Sequence, residues 1–168
     1  MHPARLSVEQ LLTQCSLQRT RRSGPGGQHR NKVETAIVIV HEPTGIRAEA
    51  SERRRQSENR AQALFRLRVR LALGVRQFDP QGVATKPSEL WLQRSGGGRI
   101  KVNSRHEDFP ALLAEALDAI AVAKSDVAAA AQYLGVTSSQ LIKLLKLQPE
   151  AFVGVNQQRT DHGLSILR

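Results

Sequence analysis

Apolar runs and turn residues alternate over the first fifty residues in a way that is typical of short strands. A β-branched run over 35–40 is followed by a Pro-Thr-Gly turn and a second run over 46–50, so this stretch predicts a β-hairpin. Residues 16–20 predict a further strand, preceded by a short helix that begins with Ser7 as its N-cap.

A helical period replaces this alternation after residue 56. Ser57 is the expected N-cap of the helix and Gly74 its expected C-cap, while Arg66 and Arg70 are expected to point away from the core. The apolar stripe consists of Leu64, Leu67 and Leu71. Strands and a covering helix predict a compact α+β domain over residues 1–74.

The remaining residues divide into a segment rich in loops and a helical segment. Repeated Pro-Gly, Lys-Pro-Ser and triple-glycine stretches predict a basic connector over 75–107, with one short strand at 100–103. An alanine- and leucine-rich composition then predicts a small α-helical bundle over 108–168. Its four helices are expected to begin near Asp108, at Ser125 or Asp126, at Thr137 and at Pro149.

Charge is distributed unevenly along the chain. The net charge is +10 and the pI is about 11.0, which implies a polyanionic partner, either nucleic acid or an anionic membrane surface. Residues 17–72 hold 13 Lys/Arg against 5 Asp/Glu, or +8, whereas residues 108–168 hold 5 against 6, or −1. The sequence shows no membrane-spanning run and no signal peptide, so we expect a cytoplasmic protein. The single Cys15 and the scattered histidines predict neither a disulfide framework nor a metal site, and no cofactor is expected.

The stretch RRSGPGGQHRNKVETA, residues 21–36, holds the strongest candidate chemistry. Gly26 and Gly27 allow another molecule to approach the main chain closely, and Gln28 adds an amide group and a backbone N–H. Because no acid, thiol or base lies beside it, this tip is suited to orienting water and donating hydrogen bonds. The cations expected on phosphates are Arg19, Arg21, Arg22, Arg30 and Lys32. From the residues alone, a plain RNA-binding loop and a catalytic tip both remain open.

The segment RRSGPGGQHRNKVETAIVIVHEPTGI, continued by ERRRQSENRAQALFRLRVRLA, resembles the catalytic domain of class I peptide chain release factors. The resemblance covers residues 16–73 and centres on the Gly-Gly-Gln tripeptide of that family. It implies that the tripeptide enters the peptidyl transferase centre of the large ribosomal subunit and promotes hydrolysis of peptidyl-tRNA. The implied catalytic residues are Gly26, Gly27 and Gln28, with the Gln28 N–H stabilising the transition state.

The same resemblance extends to the neighbouring positions. The residues implied to brace the loop or contact ribosomal RNA are His29, Asn31 and Lys32. Gln56 and Asn59 match a later segment, where a structural role near the loop is expected. Arg30 stands where family members often carry valine, and Arg54 and Arg55 stand where an Arg-Ser pair is usual; neither change removes the tripeptide.

The position of the tripeptide resembles that in the short, codon-independent members of the family, which rescue stalled ribosomes. Some of those members carry a basic C-terminal tail, whereas residues 108–168 are slightly acidic and patterned for helices. The expected partners are the ribosome, through large-subunit rRNA and peptidyl-tRNA, and a protein that binds residues 108–168; the chain is expected to act as a monomer. The alternative is a ribosome- or RNA-binding factor that uses the release-factor fold for docking without hydrolysis.

Residues 126–146 also resemble a helix-turn-helix, with Ala129 small, Gly135 in the turn and Leu141 buried. Contact with nucleic acid through residues 138–147 would make the chain a DNA-binding regulator, but that segment offers only two lysines. A three-helix core is therefore the favoured interpretation. Trp91 is expected to be a packing anchor.

Overall fold

The computed structural model describes residues 1–20, 36–77 and 86–168. Two compact units can be distinguished, Pro3–Gly74 and a second that joins Met1–His2 to Val75–Arg168. The α+β class is confirmed, because the first unit holds an antiparallel sheet and the second is mainly helical. In the described ranges, no helix is both long and apolar enough to cross a membrane. The finer division into 1–74, 75–107 and 108–168 stays a prediction.

The first unit opens with a 3-10 turn at Pro3–Arg5 and helix α1 at Val8–Leu12. Ser7 is its N-cap, as predicted, and it forms a capping box in which the Ser7 hydroxyl accepts from the Gln10 N–H and the Gln10 side chain accepts from the Ser7 N–H. The helix ends at Leu12, and strand structure begins at Cys15.

Three antiparallel strands form the sheet, in the order β1-β2-β3. They are β1 at Cys15–Thr20, β2 at Ala36–His41 and β3 at Ile46–Ala50. The hairpin is confirmed over these residues, whereas Thr35 lies outside the described residues. Ile37, Ile39 and Ala48 share the buried face, since paired residues of neighbouring strands point to the same side of a sheet.

Helix α2, Gln56–Gly74, covers that face. The helix begins at Gln56, so Ser57 is its second residue and the prediction of Ser57 as N-cap is wrong. Leu67 and Leu71 are fully buried as predicted, but the third buried position of the stripe is Ala63, and Leu64 is only half-buried. Residues 63, 67 and 71 are four positions apart, so the buried stripe follows one face of the helix.

Gly74 is the last residue of α2, but it does not act as the predicted C-cap. It is not among the glycines with positive φ, so it does not form a left-handed cap. Instead, a Cβ added to Gly74 would lie 2.9 Å from Ile46 Cδ1, closer than ordinary contact allows. Glycine therefore permits close packing between the end of α2 and the start of β3.

Arg66 and Arg70 point away from the core, as expected, and both also bind the backbone of the sheet. Arg66 Nη1 donates to the Glu49 carbonyl at 2.8 Å and Arg70 Nη1 donates to the Arg47 carbonyl at 2.5 Å. These carbonyls belong to an edge strand, where outward backbone groups are otherwise unpaired. The two arginines thus cover the β3 edge of the sheet.

The second unit contains a helix in the segment that was expected to lack regular structure. Helix α3 spans Glu89–Arg94, with Ser88 as its N-cap. The Ser88 hydroxyl accepts from the Trp91 N–H at 3.1 Å and donates to Glu115 Oε2 at 2.5 Å, so the cap is itself held by a buried carboxylate. Trp91 is fully buried and donates its indole N–H to the Leu134 carbonyl at 2.8 Å, which confirms it as a packing anchor.

A short hairpin follows α3 and contacts the bundle. Its strands are β4 at Ser95–Gly96 and β5 at Arg99–Ile100, so the strand expected at 100–103 is shorter and begins earlier. The Thr137 N–H donates to the Gly98 carbonyl at 3.0 Å, which ties the hairpin to the start of a bundle helix.

The bundle consists of α4 at Phe109–Val122, α5 at Val127–Tyr133, α6 at Ser138–Lys146 and α7 at Pro149–Asp161. Asp108 is the N-cap residue of α4, yet its carboxylate binds Arg94 and not the helix N–H groups. Asp126, not Ser125, caps α5, because Asp126 Oδ1 accepts from two N–H groups while Ser125 adopts a left-handed φ of +66°. Thr137 caps α6 as predicted.

The helix-turn-helix pattern is present in the backbone of α5 and α6. Gly135 has a φ of +67° in the turn, and Leu141 is fully buried, both as predicted. Ala130 and Ala131 are the buried alanines of α5, whereas Ala129 is exposed, since the inward face begins at Val127. That α6 serves a three-helix core and does not bind nucleic acid stays a prediction.

Candidate functional site

The predicted catalytic residues lie outside the described residues, which exclude 21–35. This applies to Gly26, Gly27 and Gln28, and to the predicted RNA contacts Arg21, Arg22, His29, Arg30, Asn31 and Lys32. Their assignments stay predictions. Of the predicted site residues, the structure places only Arg19.

The described residues define the frame from which this segment extends. Thr20, the last residue of β1, pairs with Ala36, the first residue of β2. Directly opposite residues in an antiparallel pair have Cα atoms about 4.5–5.5 Å apart, so residues 21–35 start and finish at neighbouring points. The register of the sheet therefore fixes both ends of the glycine-rich segment.

Arg19 lies one residue before that end of β1. It pairs with Ile37 on the neighbouring strand, and its residue is exposed. The sheet order makes β1 an edge strand, so Arg19 is placed beside the start of the segment with its charge accessible. This position is suited to the phosphate contact predicted for it.

The His-Glu-Pro-Thr-Gly-Ile motif forms the tight turn between β2 and β3. His41 is buried, with Nδ1 2.8 Å from Thr44 Oγ1 and Nε2 3.0 Å from Gln14 Oε1. The neutral ring satisfies both contacts if Nδ1 accepts from the Thr44 hydroxyl and Nε2–H donates to Gln14. Gly45 completes the turn with a φ of +68°. The motif therefore has a structural role at the opposite end of the sheet from residues 21–35.

We expect His41 to make the stability of this unit depend on pH. Burial lowers the pKa of His41 below its ordinary value of 6.5, so the unfolded chain takes up this proton more readily than the folded chain. Stability should then fall as the pH drops through about 6.5, with a slope below the one-proton limit of about 1.4 kcal/mol per pH unit. Denaturant unfolding at pH 7.5 and 5.5 should show a smaller pH effect in His41→Gln than in the native chain. An equal pH effect in both proteins would show that His41 does not carry it.

Asn59, which matches the family segment, holds the chain just before α2. Its side-chain oxygen accepts from the Arg53 N–H at 2.9 Å, and its side-chain nitrogen donates to the Arg53 carbonyl at 3.0 Å. Asn59 is fully buried, so an unsatisfied amide there would be costly. This pairing gives Asn59 a structural role before α2, while a place near the glycine-rich loop stays a prediction. Asn59 holds the segment that contains the exposed Arg53, Arg54 and Arg55. These three arginines were not predicted as site residues from the sequence, because charge alone does not distinguish them from other surface arginines.

Comparison with known proteins covers the three strands, the glycine-rich segment and helix α2. The model of the RF-1 domain family matches residues 8–109. Peptide chain release factor 1 of Geobacter sulfurreducens is 38% identical over 90 residues, which cover 54% of this chain and 24% of that protein. Peptide chain release factor 1 of Nitrosomonas europaea is 42% identical over 91 residues, with the same coverage of 54% and 24%.

Peptide chain release factor 2 of Aromatoleum aromaticum is 40% identical over 73 residues, which cover 42% of this chain and 20% of that protein. The chain therefore spans between a fifth and a quarter of the length of these relatives. No solved structure matched it. The family match includes the whole glycine-rich segment together with the three strands that frame it.

Proposed function

The chain belongs to the RF-1 domain family of peptide chain release factors, and from this premise we propose that it hydrolyses peptidyl-tRNA on the ribosome without reading a stop codon. The observation that carries the proposal is the family match over residues 8–109, which contains the Gly-Gly-Gln tripeptide at 26–28. The strong positive charge of residues 17–72 supports a ribosomal RNA partner.

In the proposed reaction, water attacks the ester carbonyl carbon that joins the peptide to the terminal adenosine of tRNA. The bond from that carbon to the ribose oxygen breaks, and the departing oxygen takes up a proton that derives from the water. The backbone N–H of Gln28 donates to the carbonyl oxygen as it gains negative charge, and the Gln28 side chain admits water while excluding larger nucleophiles. Gly26 and Gly27 let this backbone approach the ester closely.

Independence from the stop codon is proposed from the resemblance to the short members of the family. In this sequence the helices α4 to α7 come after the segment that holds the tripeptide. The near-neutral charge of residues 108–168 supports a protein partner for the bundle more than an RNA partner.

The experiment that tests hydrolysis measures release of labelled peptide from peptidyl-tRNA, once on ribosomes and once free in solution. We expect release on ribosomes only, because the loop supplies a placed donor while the ribosome positions the ester. Ribosome binding without release would instead favour the docking alternative, in which the same fold binds without chemistry.

A further inference from the structure

Three consecutive arginines, Arg53, Arg54 and Arg55, follow strand β3 and precede helix α2; we call residues 53–55 the arginine loop. All three residues are exposed. In the part of the chain that the structure describes, none of the three guanidinium groups has an acidic partner within ion-pair distance. Their charge is therefore available to a ligand.

The backbone of the arginine loop is held in place without the use of these side chains. The buried Asn59 binds both the N–H and the carbonyl of Arg53, and the Asn59 N–H donates to the Arg55 carbonyl at 3.2 Å. A loop fixed in this way loses less conformational entropy when it binds a ligand than a free chain would.

The acidic residue next to the arginine loop is already engaged. Glu52 accepts from the Ser51 N–H at 2.9 Å and from Arg66 Nη2 at 2.5 Å. The Ser51 hydrogen bond, assisted by Arg66, lowers the pKa of Glu52, so the carboxylate is ionised and its charge is matched by Arg66. Glu52 therefore leaves the charge of the three arginines largely uncompensated.

The sheet register brings the arginine loop to the end from which the catalytic segment extends. Thr20 pairs with Ala36, and Ile37 pairs with Ala50, the last residue of β3. The exit of β1, the entry of β2 and the exit of β3 thus lie side by side. Since neighbouring strands are about 4.8 Å apart, β3 ends about 10 Å from the start of residues 21–35, and the arginine loop follows three residues after that end.

We propose that the arginine loop binds phosphates of ribosomal RNA beside the site where the Gly-Gly-Gln segment acts. This proposal rests on the proposed function. It places a second RNA-binding site beside the basic residues that were predicted to bind RNA around the tripeptide. Guanidinium groups present paired N–H donors that match phosphate oxygens, and three adjacent arginines on a fixed backbone can follow the RNA backbone through several phosphates. Arg19, exposed on β1 one residue before the same end of the sheet, adds a further cation there.

The test measures the affinity of the chain for large ribosomal subunits across a range of salt concentrations. The triple variant Arg53→Gln, Arg54→Gln, Arg55→Gln should reduce the slope of log affinity against log salt by about 2 to 3, at about 0.7–0.9 per phosphate contact. If the variant and the native chain bind equally at about 1 M salt, this change in slope makes the variant bind roughly 10²- to 10³-fold more weakly at about 0.1 M salt. Replacing the same three residues by lysine should preserve most of the slope, because lysine also binds phosphate through its charge.

The matched control removes the same amount of charge from exposed cations elsewhere. It combines Arg47→Gln at the far end of β3 with Lys124→Gln and Arg168→Gln. If the control variant binds ribosomal subunits as weakly as the arginine-loop variant does, the loss of affinity is an effect of net charge only. That result would overturn the arginine loop as a site. Weaker binding with an unchanged salt slope would assign the loop to a ribosomal protein and would also overturn it. Normal binding by the triple variant would refute this proposal alone, whereas failure of the native chain to bind ribosomes would refute the proposed function as well.

Discussion

Replacing Gln28 by alanine should reduce peptide release by about 10²–10³-fold while leaving ribosome binding nearly intact. The proposed chemistry relies on a donor placed where negative charge develops, and loss of one such donor typically costs this much in rate. Phosphate contacts by the neighbouring cations do not depend on the amide group, so affinity should change little. Single-turnover release on saturated ribosomes, together with a separate binding measurement, gives both quantities.

The matched control for this variant is Gln18→Ala, which makes the same chemical change on the exposed surface of β1. We expect Gln18→Ala to release peptide at the native rate. If Gln28→Ala also kept the native rate, the catalytic assignment of the tripeptide would be wrong. A parallel loss of binding and release would show that Gln28 is needed for docking and not for the reaction.

Replacing Trp91 by alanine should destabilise the unit that contains Val75–Arg168 by about 3–5 kcal/mol. Trp91 is fully buried, and its indole N–H donates to the Leu134 carbonyl at the end of α5. The substitution therefore leaves a large cavity and a buried carbonyl without its donor. Since small domains are stable by about 5–15 kcal/mol, such a loss approaches complete unfolding.

Denaturant unfolding followed by circular dichroism measures this loss, because Trp91 is the single tryptophan of the chain and its fluorescence disappears in the variant. The control is Leu92→Ala, on the next position of α3, whose side chain is 50% exposed. That change should stay within about 0.5 kcal/mol. A loss below about 1 kcal/mol for Trp91→Ala would contradict the packing role.

The sequence predicted the elements whose signals are local. The hairpin followed from a β-branched run and a Pro-Thr-Gly turn, and the helix caps at Ser7 and Thr137 followed from hydroxyl side chains before apolar periods. These features depend on residues within a few positions of one another. The α+β class therefore emerged before any tertiary contact was known.

The errors arose where distant residues decide the local structure. Gly74 resembled a left-handed cap, but its φ is not positive, and a Cβ there would lie 2.9 Å from Ile46 Cδ1 of β3. Helix α3 is too short to show a clear period, and its cap Ser88 is held by Glu115. Arg66 points away from the core as expected, but its partner, the Glu49 carbonyl on the strand edge, could not be predicted. No local pattern encodes these partners.

The candidate site was predicted from a motif and not from geometry. The flanking cations were predicted from their charge, whereas the catalytic role of the tripeptide came from the resemblance to release factors; the family match includes that segment. The arginine loop illustrates the complementary case. Its charge is visible in the sequence, but its fixed backbone and its place beside β1 and β2 follow only from the Asn59 hydrogen bonds and the sheet register.

The most direct test of the central claim is release of labelled peptide from ribosomes that hold peptidyl-tRNA, compared between an empty A site, a sense codon and a stop codon. We predict that release does not depend on the stop codon, so that a stop codon gives no more release than a sense codon. A faster rate with an empty A site would identify stalled ribosomes as the substrate. Release that requires a stop codon would contradict codon-independent hydrolysis, and the absence of release in all three complexes would contradict hydrolysis itself.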